Sequence, residues 1–179
     1  MVTLDEITTP QELDLLVAFF DLTGFARFSR THSAREVFDT FAEFYEFVGD
    51  LIEASGGKVV KFIGDAGLIL YPEAHVDRGV LALKNLKNAG DVWLADHKIA
   101  SRHIIGAHFG PVVCGQIGVR RDKRFDIFGE TVNIAATLKS NGLAITPQLF
   151  RRLNPDTRKL FKKHTPPITY IPIDETHQD

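Results

Sequence analysis

The hydrophobic pattern changes period twice in the first fifty residues. Leu15 to Phe20 is an unbroken apolar run, the pattern of a central strand covered on both faces. It ends abruptly in Asp21-Leu22-Thr23-Gly24-Phe25. From Ser33 the period becomes helical. Ser33 and Glu36 make a capping-box pair, a strong start signal. Val37, Phe38, Phe41, Phe44, Tyr45, Val48, Leu51 and Ile52 then advance by ones and threes, which keeps them on one helical face. Gly56-Gly57 predicts the stop.

Val59 to Ile63 and Ala66 to Tyr71 read as two strands joined tightly through Gly64-Asp65. Ala74 to His97 is helical in pattern, with Val76, Val80, Leu83, Leu86 and Val92 expected inward. His103 to Phe109 and Val112 to Ile117 predict another hairpin, turning at Gly110-Pro111. A basic stretch, Arg120 to Arg124, leads to Phe125-Asp126-Ile127-Phe128 and a helix from about Glu130 to Lys139. A short strand at Leu143 to Ile145, a helix near Pro147 and a last strand, Ile168 to Ile173, complete the chain. Pro172 predicts that the last strand lies at an edge. The order is β-α-β-β-α-β, an α+β class with a ferredoxin-like core and a C-terminal extension. No repeat, low-complexity segment or linker interrupts it. Residues 1–179 are therefore read as a single domain with its core at about residues 13–173.

Composition narrows the function classes. Lys plus Arg number 21 against 23 Asp plus Glu, a net charge of −2, which argues against a nucleic-acid binder. The 44% hydrophobic content excludes an acidic disordered chain. Cys114 is the single cysteine, so no disulfide forms within the chain, as suits a reducing compartment. No apolar run approaches the roughly 18 residues of a membrane span, and Met1 to Gln11 lack the basic region of a signal peptide. The expectation is a cytoplasmic protein with no membrane contact. His108 and Cys114 read as structural, and Trp93 as core or interface.

Two carboxylates stand out by position. Asp21 ends the buried strand and Asp65 sits in the tight turn. If their strands are neighbours, both project at one end of a sheet. Two oxygen donors without His or Cys suit Mg²⁺ or Mn²⁺, and the amides from Leu22 to Phe25 suit a triphosphate. The alternative is that Asp21 caps a turn and Asp65 fills a hairpin position.

Four segments occur in order: Phe20-Asp21-Leu22-Thr23-Gly24-Phe25, Lys61-Phe62-Ile63-Gly64-Asp65, Gly106-Ala107-His108-Phe109-Gly110, and Phe125-Asp126-Ile127-Phe128-Gly129-Glu130-Thr131-Val132-Asn133-Ile134-Ala135-Ala136. Together they resemble the catalytic domain of class III adenylate and guanylate cyclases. The resemblance implies two ferredoxin-like domains paired head to tail, with active sites between them. It implies that Asp21 and Asp65 bind two divalent ions, Mg²⁺ or Mn²⁺, and that Thr23, Gly24 and Phe25 hold phosphates. By the same resemblance Lys61 and Asp126 read the base, here the adenine of ATP, and Asn133 orients the ribose. A homodimer is expected, and a heterodimer with another cyclase chain is the variant.

Three departures qualify the resemblance. The family places a transition-state arginine four residues after the asparagine; this chain has Thr137. Lys139 is close by but would face about 200° away on a helix. The stretch from Lys139 to Leu143 is shorter than the family's loop. Phe161-Lys162-Lys163-His164 also lacks the glycine of the family's Lys-Gly pair. The resemblance thus implies a cyclase forming 3′,5′-cyclic AMP, with low activity. The alternative is an impaired nucleotide-binding or heterodimer-forming module.

Overall fold

The computed structural model describes residues 7–138 and 141–176. Strand β1 (Gln11–Leu22) is longer than its apolar run. Two helices follow, α1 (Phe25–Thr31) and α2 (Ala34–Ala54), then the hairpin β2 (Lys58–Ile63) and β3 (Ala66–Pro72). Helix α3 (Val76–Asp96) leads to β4 (His103–Val119) and β5 (Asp122–Phe128), and α4 (Glu130–Thr137) follows. The C-terminal part comprises β6 (Leu143–Ile145), α5 (Pro147–Arg152), α6 (Pro155–Arg158), β7 (Phe161–His164) and β8 (Thr169–Pro172).

The eight strands of the described residues form one sheet in the order β2-β3-β1-β4-β6-β8-β7, with β5 paired to β4. The β2-β3-β1-β4 part is antiparallel throughout and has the split βαβ order expected of the ferredoxin-like core. Side chains of β1 alternate between two cores. Leu16, Ala18 and Phe20 face α2 and α3. Leu15 and Val17 face the other side, with Ala135 of α4 and Ile127 of β5. A strand feeding two covered faces reads as a continuous apolar run.

The predicted start of α2 is realised. The Ser33 hydroxyl accepts from the Glu36 amide, and the Glu36 carboxylate accepts from the Ser33 amide at 2.7 Å. Gly56, at φ 82°, ends the helix in the left-handed region.

Several local expectations are corrected. Gly110-Pro111 is no turn: β4 runs straight through it, with Pro111 opposite Asp14 and Gly110 opposite Leu15. Proline's φ suits an extended strand, and the Pro111 carbonyl accepts from the Thr131 hydroxyl at 2.8 Å. The reversal falls instead between Val119 and Asp122, so Arg124 and Phe125 belong to β5. Strand β8 is not an edge, because it lies between β6 and β7. Pro172 escapes the cost because β6 meets β8 only at Ile145 and Tyr170. Phe38 and Val92 point outward, 71% and 60% exposed, against the expected inward faces. Lys139 and the start of the short loop lie outside the described residues.

Candidate active site

The β1–β3 register pairs Phe20 with Gly67. Asp21 therefore follows the last β1 residue paired with β3, while still pairing with Ile104 of β4, and Asp65 immediately precedes β3. The two carboxyls are neighbours. Burial pushes the Asp65 carboxyl above its ordinary range, and the Asp21 carboxylate beside it pushes the same way. Asp21 is steadied by the Leu22 amide, which donates to Oδ1 at 2.9 Å. By strand alternation Asp21 lies on the α4 side of the sheet. It shares a small recess with Phe19, Gly106 and Ala135.

Helix α2 holds the turn that carries Asp65. The Tyr45 hydroxyl donates to the Gly64 carbonyl at 2.6 Å, and its ring stacks on Phe62 at 3.8 Å. Gly64 has φ 62°, a conformation that glycine adopts freely. The helical pattern assigned Tyr45 only to the packed face. A tyrosine at the rim of an apolar stripe was the available signal for the hydroxyl's contact.

The second pair lies elsewhere on the chain. Lys61 of β2 and Asp126 of β5 meet at 2.6 Å. The Ile127 amide fixes the other Asp126 oxygen at 2.8 Å. They flank a cleft of about 510 Å³ whose walls include Phe62, Ile117 and Val119. The sequence separates these residues by 65 positions; the sheet brings them together.

Thr23, Gly24 and Phe25 form the turn after β1. The Thr23 amide donates to the Arg102 carbonyl at 3.0 Å, and the Thr23 hydroxyl accepts from the Arg102 amide at 3.2 Å. Gly24 has φ 75°. The Phe25 ring lies 4.6 Å from that of Phe41, which pins the turn to α2. Arg102 was not singled out from sequence, because its contact is through its backbone.

Helix α4 carries Asn133 and Thr137, both exposed. The Asn133 side chain donates to Glu130 at 3.5 Å. The Thr137 hydroxyl donates to the Asn133 carbonyl at 2.7 Å, so it is turned onto its own helix. Any Cβ on Gly106 would collide with the Ala135 carbonyl, so this glycine sets how closely α4 approaches the sheet.

The remaining polar candidates serve packing. His108 is buried with Nδ1 at 2.8 Å from the Thr146 hydroxyl, and burial lowers its pKa. Burial pushes the Cys114 thiol up to about 11, which leaves it a poor nucleophile. Much of the C-terminal basic run is engaged: Arg152 pairs with Glu73 at 2.8 Å, Lys159 with Asp156 at 2.8 Å, and Lys162 donates to the Ile173 carbonyl at 3.1 Å.

Asp21 and Asp65 fit a hard divalent cation on this geometry. Two adjacent carboxylates, one of them partly desolvated, gain from a cation between them. Among the described residues no three His, Cys, Asp or Glu side chains gather as a metal cage. A carboxylate pair that leaves further positions to substrate oxygens and water is the usual magnesium arrangement. Also among the described residues, no helix is long and apolar enough to cross a membrane.

The germination-specific adenylate cyclase of Dictyostelium discoideum is 30% identical over 148 residues, covering 78% of this chain and 17% of that protein. Human retinal guanylyl cyclase 2 is 30% identical over 145 residues, covering 75% of this chain and 13% of that protein. The chain thus spans under a fifth of the length of either relative. The structure of a bacterial light-regulated adenylyl cyclase superposes with a TM-score of 0.80 at 21% identity, over 93% of this chain and 53% of that one. The family profile described as "Adenylate and Guanylate cyclase catalytic domain" matches residues 8–164. The chain belongs to that family, the class III cyclase catalytic domains.

Proposed function

We propose that this chain cyclises ATP to 3′,5′-cyclic AMP, with release of pyrophosphate, in sites shared between two copies. The observation that carries the reading is the Lys61–Asp126 pair at 2.6 Å in an open cleft, on the same chain as the Asp21–Asp65 pair. Adenine offers an acceptor at N1 and an amino donor at N6. Lys61 only donates and ionised Asp126 only accepts, so the pair complements adenine. Guanine presents the opposite polarity at O6 and N1.

Divalent ions held by Asp21 and Asp65 would acidify the ribose 3′-hydroxyl and neutralise triphosphate charge. The hydroxyl oxygen forms a bond to the α-phosphorus as the bond to pyrophosphate breaks, in line. Asn133 holds the ribose, and the turn at Thr23, Gly24 and Phe25 receives phosphate oxygens on its amides. The arm formed by β4 and β5 exposes Val113, Ile117, Val119 and Phe128, an apolar surface suited to cover by a second copy. That copy is the homodimer partner of the main reading.

Thr137 favours a second reading, a module that binds nucleotide or completes another cyclase chain without efficient turnover of its own. Its hydroxyl is committed to the Asn133 carbonyl and carries no positive charge. The deciding experiment incubates the protein with ATP, GTP, CTP and UTP, with Mg²⁺ and then Mn²⁺, and identifies products. Asp65→Asn is the control. Cyclic AMP that vanishes in the control is the expected result. Another cyclic nucleotide overturns the reading of Lys61 and Asp126; metal-dependent binding without product selects the second reading.

A further inference from the structure

We propose that the cleft between the β1–α1 turn and the α3–β4 link binds a small phosphate-class oxyanion, at a site separate from Asp21 and Asp65. The cleft is shallow and open to solvent, spans about 620 Å³ and is lined by Thr23, Lys98, Ser101 and Arg102. It continues into a recess of about 100 Å³ that Arg27 lines and that shares Lys98 and Ser101. No Asp or Glu lines either part. Among the described residues, Arg27, Lys98 and Arg102 enter no ion pair. The Ser101 hydroxyl is a buried polar atom without a hydrogen-bond partner. Buried hydroxyls are ordinarily satisfied, and a surface lined by three exposed cations and no carboxylate is complementary to an oxyanion.

Lys98 supplies an independent observation. It is the one described non-glycine residue with positive φ, at 58°. Helix α3 ends there in a Schellman motif: the Ile99 amide donates to the Leu94 carbonyl at 2.8 Å, and the Lys98 amide to Ala95 at 2.9 Å. Helix α2 ends in the same motif, with the Gly57 amide on Ile52 at 3.0 Å and the Gly56 amide on Glu53 at 2.9 Å. There the left-handed residue is Gly56. At the equivalent position of α3 the chain keeps a lysine in an unfavourable conformation, and that lysine lines the open cleft. Strain of this kind at a non-glycine residue points to a functional constraint.

The cleft adjoins the proposed phosphate turn. Arg102 both lines it and holds the amide and hydroxyl of Thr23, so an occupant of the cleft steadies the turn from behind. Pyrophosphate and inorganic phosphate are the probes.

The test is calorimetric titration of the intact chain with pyrophosphate, and separately with phosphate, in EDTA. The expected result is saturable binding with a dissociation constant below about 1 mM. Lys98→Gly and Arg102→Gln each weaken it by about fivefold or more, and Asp65→Asn does not weaken it. Because glycine suits the left-handed position, unliganded Lys98→Gly melts no lower than the parent. This separates loss of binding from loss of fold. Saturation only above about 10 mM, binding untouched by both cationic substitutions, or binding abolished by Asp65→Asn overturns the proposal. Tighter binding of ATP than of pyrophosphate in EDTA, retained in Lys98→Gly, overturns it too, since the anion would then sit with the nucleotide.

Discussion

The Asp65 carboxylate is held in place at the expense of stability. Burial and the adjoining Asp21 carboxylate raise its pKa. Between the ordinary aspartate value and the raised one, the folded state binds the extra proton, so stability falls as pH rises through that window. Below the window the two states are protonated alike and the penalty is absent. Asp65→Asn is therefore expected to raise the melting temperature of metal-free protein at neutral pH. The gain should vanish on acidification below the ordinary aspartate value. Melting curves across pH in EDTA check this; an equal gain at all pH values would refute it. Thr137 is the residue with most to gain. Thr137→Arg places a cation one helical turn from Asn133 and is expected to raise kcat by about 10²–10³, the usual worth of one charge-stabilising donor. Single-turnover rates measure it, and an unchanged rate would locate the compensating cation elsewhere. The ordered segments singled out Asp21, Asp65, Lys61 and Asp126, and the fold brings Asp21 beside Asp65 and Lys61 beside Asp126. The Tyr45–Gly64 and Thr23–Arg102 contacts were not legible, because each joins a side chain to a distant backbone group that carries no residue-type signal.

Elements position these residues through a few close approaches. Gly106 of β4 leaves no room for a side chain beneath the Ala135 carbonyl of α4. Gly106→Ala must push α4 outward, with Asn133 and Thr137 on it. The expected cost is about 1–3 kcal/mol in urea unfolding, accompanied by lost turnover; wild-type stability would show that the helix yields freely. Elements were legible where local chemistry and tertiary context agreed. The capping box of Ser33 and Glu36 and the turn at Gly64-Asp65 are such places. They were misread where a local signal was overruled. Gly110-Pro111 has turn chemistry, yet pairing with β1 on one side and the Thr131 contact to Pro111 hold β4 extended. Pro172 signals an edge, yet β6 is too short to need its missing amide.

At the scale of the molecule the two side-chain pairs belong to different parts of one sheet. Asp21 and Asp65 lie where β1 meets the β2–β3 turn; Lys61 and Asp126 lie where β2 meets β5. The ferredoxin-like order was legible because its strand and helix periods alternate cleanly. The β6-β8-β7 extension was only partly so, since strands of three or four residues carry little period. In the proposed dimer the carboxylate pair of one copy and the base-reading pair of another complete a single site. The most direct test mixes Asp65→Asn chains with Lys61→Ala chains, dissociated and reassociated together. Each variant alone is expected to be silent. Their mixture should form cyclic AMP at about a quarter of the parent rate, because half the dimers carry one intact site of two. A silent mixture from proteins that dimerise, beside an active parent, would place both pairs in one chain's own site and contradict the account.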